Sequence, residues 1–170
     1  MRPHTLLLSP LLALCLSNAF AAPLWPAPVR AVVDSMNAEC RGVGGKPGAS
    51  KGLVTAVDLN GDGRSDYVID TAAFECEGAA SLFGGTGGSS VEVFLATADG
   101  SAKSVFEHGA FGSRVDQGQL WLAVGGELCG QKVTAKTPHS DMQACWRPLR
   151  WDAGRRKLDF APLDSVRPYK

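Results

Sequence analysis

Between two β-prone runs, Leu53 to Val57 and Tyr67 to Thr71, lies the acidic segment Asp58-Leu59-Asn60-Gly61-Asp62-Gly63-Arg64-Ser65-Asp66. A chain that carries it must bring three carboxylates into one tight turn and continue as a strand on either side. The segment fits D-x-[DN]-x-[DN]-G-x-x-D. Alternate positions of such a loop aim oxygens at one centre, and calcium, a hard cation, takes about six to eight oxygens. Asp58, Asn60 and Asp62 are expected to offer side-chain oxygens, Arg64 its backbone carbonyl with the charged side chain in solvent, and Asp66 to close the site. Gly63 stands at the sixth position, where the chain turns sharply and a Cβ would obstruct. Without a cation the carboxylates repel one another. An ordinary acidic turn is the alternative. Magnesium fits less well, because it demands octahedral geometry and keeps several waters.

The loop is not an EF-hand. That motif needs a bidentate Glu at its twelfth position, which here is Ile69. A dockerin-like loop fails on the same residue. The strands on either side, with Asp66-Tyr67-Val68-Ile69-Asp70 leaving the loop directly, resemble the calcium loop of integrin-type FG-GAP and VCBS repeats, in which such a loop joins two strands of a sheet. The resemblance runs from Leu53 to Asp70 in a single copy, so it implies a strand–calcium loop–strand unit and no propeller.

Beyond that loop, the order of features is similar to that of small exported bacterial proteins. Phe74-Glu75-Cys76-Glu77-Gly78, the glycine-rich stretch Ser81 to Gly88 and Cys145-Trp146 carry this likeness. It extends weakly to periplasmic calcium-binding immunity proteins, which block peptidoglycan hydrolases delivered by competing bacteria. That likeness implies a cell-wall hydrolase or another envelope protein as partner.

Residues 1–21 read as a secretory signal peptide. Arg2 is the positive start, Leu6 to Leu16 the apolar run, and Ala19-Phe20-Ala21 the small-x-small site for cleavage before Ala22. Cys15 is followed by more apolar sequence, so a soluble exported chain is preferred to a lipid anchor. Residues 22–170 then form a single domain, periplasmic or secreted. No later segment approaches the roughly 20 apolar residues of a membrane span. Four cysteines remain: Cys40, Cys76, Cys129 and Cys145. An even number in an oxidising compartment indicates two disulfides with three possible pairings. The local pairing, Cys40–Cys76 and Cys129–Cys145, is the expected one. Zinc is disfavoured, since no Cys-x-x-Cys occurs.

Val29, Val32, Val33 and Met36 form one stripe on a helix ending near Cys40. Short strands follow: Val91 to Thr97, Ser104 to Phe106, Gly112 to Val115, Gln119 to Val124, Ala144 to Trp151 and Lys157 to Phe160, with turn residues between them. The expected fold is mainly β, an α+β arrangement of an antiparallel sheet with one N-terminal helix. Gly84 to Ser90 reads as a flexible connector.

Seventeen basic residues against seventeen acidic ones argue against a nucleic-acid binder with a basic face. The glycine-rich segment lacks the Gly-Lys-Ser/Thr ending of a P-loop. No Gly-x-Ser-x-Gly elbow or His-Glu-x-x-His motif accompanies His108 and His139. Glu75 and Glu77 share one face of an extended segment and read as solvated. Among Trp121, Trp146 and Trp151 at least two are expected in the core, and Arg147, Arg150, Arg155 and Arg156 make the C-terminal region basic. The reading is a non-enzymatic calcium-binding interaction module.

Overall fold

The computed structural model describes residues 25–49 and 52–169, so the expected signal peptide, its expected cleavage site and Cys15 lie outside the described residues. Helix α1, Ala27–Gly42, starts behind Pro26 with Pro28 in its first turn, where a missing N–H costs nothing. It buries Val29, Val33, Met36 and Cys40, one stripe at helical spacing. Strands β1, Lys46–Pro47, β2, Val54–Val57, β3, Asp66–Asp70, β4, Cys76–Glu77, β5, Gly84–Gly85, β6, Gly88–Ala96, and β7, Ala102–Ala110, follow. β8, Gly112–Asp116, β9, Gln119–Gly125, β10, Ala144–Asp152, β11, Lys157–Phe160, and β12, Arg167–Pro168, complete the order.

All pairings are antiparallel. In the first sheet β2 pairs β3, β3 and β5 pair β6 along one edge, and β7 pairs its other edge. In the second, β8 pairs β9, β9 pairs β10, and β10 also carries β11 and β12. β1 and β4 form a separate two-stranded strap. Alternation along β3 explains the layering: Ile69 faces one side and Val68 the other. Ile69, Leu53, Phe94 and Ala102 pack under the helix stripe in one core. Val68, Val91, Val93 and Ala110 pack against Leu120, Leu122, Leu149 and Leu158 of the second sheet in another. The molecule is therefore helix on sheet on sheet.

The expected disulfides are present: Cys40–Cys76 ties the helix end to β4, and Cys129–Cys145 ties the turn after β9 to β10, each with Cα atoms 5.8 Å apart. Gly84 to Ser90 differs from its expectation as a connector. Gly84 pairs with Ser89 and Gly85 with Gly88, a tight hairpin that opens β6. Thr71 Oγ1 fixes it, accepting the Ser90 N–H, with its one O–H shared between the carbonyls of Phe83 and Ser90.

Candidate metal centre

The loop 58–65 joins the paired strands β2 and β3, with Val57 directly opposite Asp66. Its turns rest on Gly61 at φ +77° and Gly63 at φ +82°, left-handed values that favour glycine. The Asp58 carboxylate sits inside the curve. Its Oδ1 accepts the N–H groups of Gly61 (2.8 Å) and Asp62 (3.2 Å), and its Oδ2 accepts that of Gly63 (2.8 Å). These bonds, the Gly63 one foremost, hold its pKa below the usual carboxylate value. Asn60 Oδ1 accepts the Asp62 N–H at 3.0 Å, and Asn60 Nδ2 donates to Asp62 Oδ2 at 2.9 Å. Asp62 Oδ1 accepts the Arg64 N–H at 2.9 Å, and the Arg64 guanidinium folds back onto Asp62 Oδ2. Its side chain is exposed, as expected, and pairs with Asp62 at the surface.

Asp66 is the anchor. It is wholly buried, the only charged residue in either core among the described residues. Oδ2 accepts the Leu59 N–H at 2.9 Å, and Oδ1 accepts the Ala96 N–H at the end of β6, also at 2.9 Å. One side chain thus ties the loop to the sheet. Burial pushes its pKa up, and the charges of Asp62 and Asp58 push the same way against the two N–H bonds.

The structure brings all five expected positions into one loop. The carboxylates accept from N–H groups of the loop, from Ala96 of β6 and from the Asn60 and Arg64 side chains, and among the described residues no cluster of three His, Cys, Asp or Glu side chains converges as metal ligands. Beside the loop, Asn60, Asp62 and Arg64 line a cleft of about 400 Å³ together with Lys103, Trp151 and Arg156.

Of the other residues singled out, Glu75 and Glu77 are exposed on either side of buried Cys76. His108 is packed between Phe106 and Phe160, with Nδ1 2.6 Å from the Gly109 carbonyl oxygen. Trp121 is buried, and Trp146 and Trp151 are half-buried. Sequence reasoning passed over Arg114, whose guanidinium lies over the Trp146 ring, and Tyr169, whose ring meets it at a tilt. The signal available was alternation, since a cation at Arg114 and a ring at Trp121 both fall on the solvent side of their strands. No family model matches the chain, and no curated protein and no solved structure matches it.

Proposed function

We propose that the chain is an exported, non-enzymatic interaction module whose 58–66 loop is held by a structural calcium ion. The observation that carries this reading is the strand–loop–strand turn, built on left-handed Gly61 and Gly63, that carries Asp58, Asp62 and buried Asp66, with the Arg64 guanidinium on Asp62 the one ion pair to them among the described residues. Asp58 and Asp66 already hold the loop's N–H groups, so the backbone is shaped before a cation arrives. Carboxylate oxygens have further lone pairs to give. Calcium would draw oxygens from Asp58, Asn60, Asp62, Asp66 and the Arg64 carbonyl, displacing the Arg64 guanidinium from Asp62. It would offset the mutual repulsion and fasten β2 to β3. The two disulfides suit an oxidising compartment, periplasmic or secreted. A protein of the cell envelope, such as a cell-wall hydrolase, is the partner class the sequence likeness implies.

The test is calorimetric titration of calcium into the oxidised mature chain after chelation, alongside its melting temperature. One site and a rise in melting temperature are expected for the wild type. Asp62→Ala should lose both. A variant whose melting temperature still rises as far as wild type, or a wild type silent at millimolar calcium, defeats the assignment.

A further inference from the structure

The face of the second sheet turned away from the core carries a ladder of alternating cations and rings. Leu120, Leu122 and Val124 point inward, so Trp121 between them points outward. Arg114 on β8 is its direct cross-strand partner, and Trp146 on β10 is paired with Arg167 on β12. The Arg167 guanidinium carbon lies 4.1 Å from the Trp121 ring centre, and that of Arg114 lies 5.7 Å from Trp121 and 4.4 Å from Trp146. Trp146 in turn meets Tyr169 with ring centres 5.4 Å apart.

Stacking fixes the plane of a guanidinium and leaves its in-plane N–H donors free to recognise a carboxylate through two parallel bonds. Among the described residues the carboxylate that meets the ladder is Asp116, 3.4 Å from Arg167. Arg114 and the exposed Arg150 on the same face meet none. The buried Trp121 Nε1–H also has no acceptor among the described residues, an arrangement that costs about 1–3 kcal/mol if left so. Trp121, Gln119, Arg150 and Arg167 line a depression of about 500 Å³ in which Asp164 is the one carboxylate. Tyr169 (44%) and Phe111 (46%) are exposed in the same half of the chain. Arginine, tryptophan and tyrosine together are the composition of interface hot spots.

We propose that this face docks an acidic segment of a protein partner. Arg114, Arg150 and Arg167 would take its carboxylates, and its apolar groups would cover Trp146 and Tyr169. The proposal rests on the reading of the chain as an interaction module and not on the calcium loop, which belongs to the other sheet.

The experiment measures fluorescence anisotropy of a labelled peptide of alternating glutamate and tyrosine, with the calcium-dependent melting shift read on the same samples. Wild type should bind. Arg114→Lys keeps the charge but loses the flat stacked fork, and should weaken binding about tenfold, with near-ultraviolet circular dichroism unchanged. Arg155→Gln, in the β10–β11 turn, should change affinity less than about twofold. A peptide that does not bind, or that binds Arg114→Lys as well as wild type, overturns the proposal. An alginate chain that binds more tightly than the peptide overturns the partner class. An intact calcium shift beside a failed peptide dismisses the docking face alone.

Discussion

Gly88 is where the β5–β6 hairpin meets β7, and two independent constraints fall on it. Its φ of +98° is one that residues with a Cβ rarely adopt, and an added Cβ would strike the Ala110 carbonyl oxygen. Gly87, one residue earlier in the turn, has open space around it and no positive φ. Gly88→Ala should therefore cost about 1–3 kcal/mol through overpacking and backbone strain, and Gly87→Ala less than about 0.5 kcal/mol. Urea denaturation of the two variants measures the difference directly. Equal midpoints would mean that the hairpin yields at no cost and does not fix the start of β6. Asp66 is over-determined in a similar way: two N–H bonds from different elements hold it, while burial disfavours its charge.

At the level of elements, the two disulfides act on very different spans. Cys40–Cys76 closes a separation of 36 residues that takes in β1, β2 and β3, whereas Cys129–Cys145 closes 16 around an irregular turn. If constraint of the unfolded chain dominates, each bond is worth about 2–4 kcal/mol, and the longer span about 0.7 kcal/mol more. Replacing both cysteines of a pair by serine should then lower stability more for Cys40–Cys76, as read from denaturant midpoints at equal slope. The reverse order would point to native packing by Cys129–Cys145 as the larger factor. One cysteine of each pair borders an element whose pattern was plain: Cys40 ends the apolar stripe, and Cys145 opens a β-prone run. Strand lengths were less legible. β7 was expected over Ser104 to Phe106 but runs Ala102–Ala110. Polar Lys103, Ser104, Glu107 and His108 mask it, because that strand buries little besides its two ends. A register shift opposite Val93 and Phe94 breaks its alternation as well. The glycine hairpin was hidden for a further reason. Its pairing is backbone to backbone, with no side-chain pattern to betray it.

The molecule as a whole is held by the core shared between its sheets. The expected antiparallel strands exist, but their division into two facing sheets was not visible in the sequence, since β3 and β6 each give apolar residues to both cores and only contact reveals which neighbour takes which. The Arg–Trp ladder was hidden likewise: Arg114, Trp121, Trp146 and Arg167 come from four strands and meet only once the sheet is formed. The acidic loop, by contrast, is contiguous, and its place between two paired strands could be read from the sequence. This organisation bears on what calcium should do. The loop fastens β2 to β3, and β3 supplies Val68 to the same core as Leu120, Leu122 and Leu149 of the second sheet. The first sheet cannot open without exposing that core, so a ligand bound at the loop should stabilise both sheets together. Trp25 packs against the helix-side core, whereas Trp121, Trp146 and Trp151 all lie on the second sheet. In a Trp25→Phe variant, the remaining emission comes from tryptophans of the second sheet, of which Trp151 also lines the cleft beside the loop. At calcium about a hundredfold above its dissociation constant, stabilisation by about 2.7 kcal/mol should raise that emission midpoint by roughly 5–10 °C, in step with the far-ultraviolet circular dichroism. If only the dichroism moves and the tryptophan midpoint stays in place, the sheets melt as separate units, and the shared core does not transmit what the loop binds.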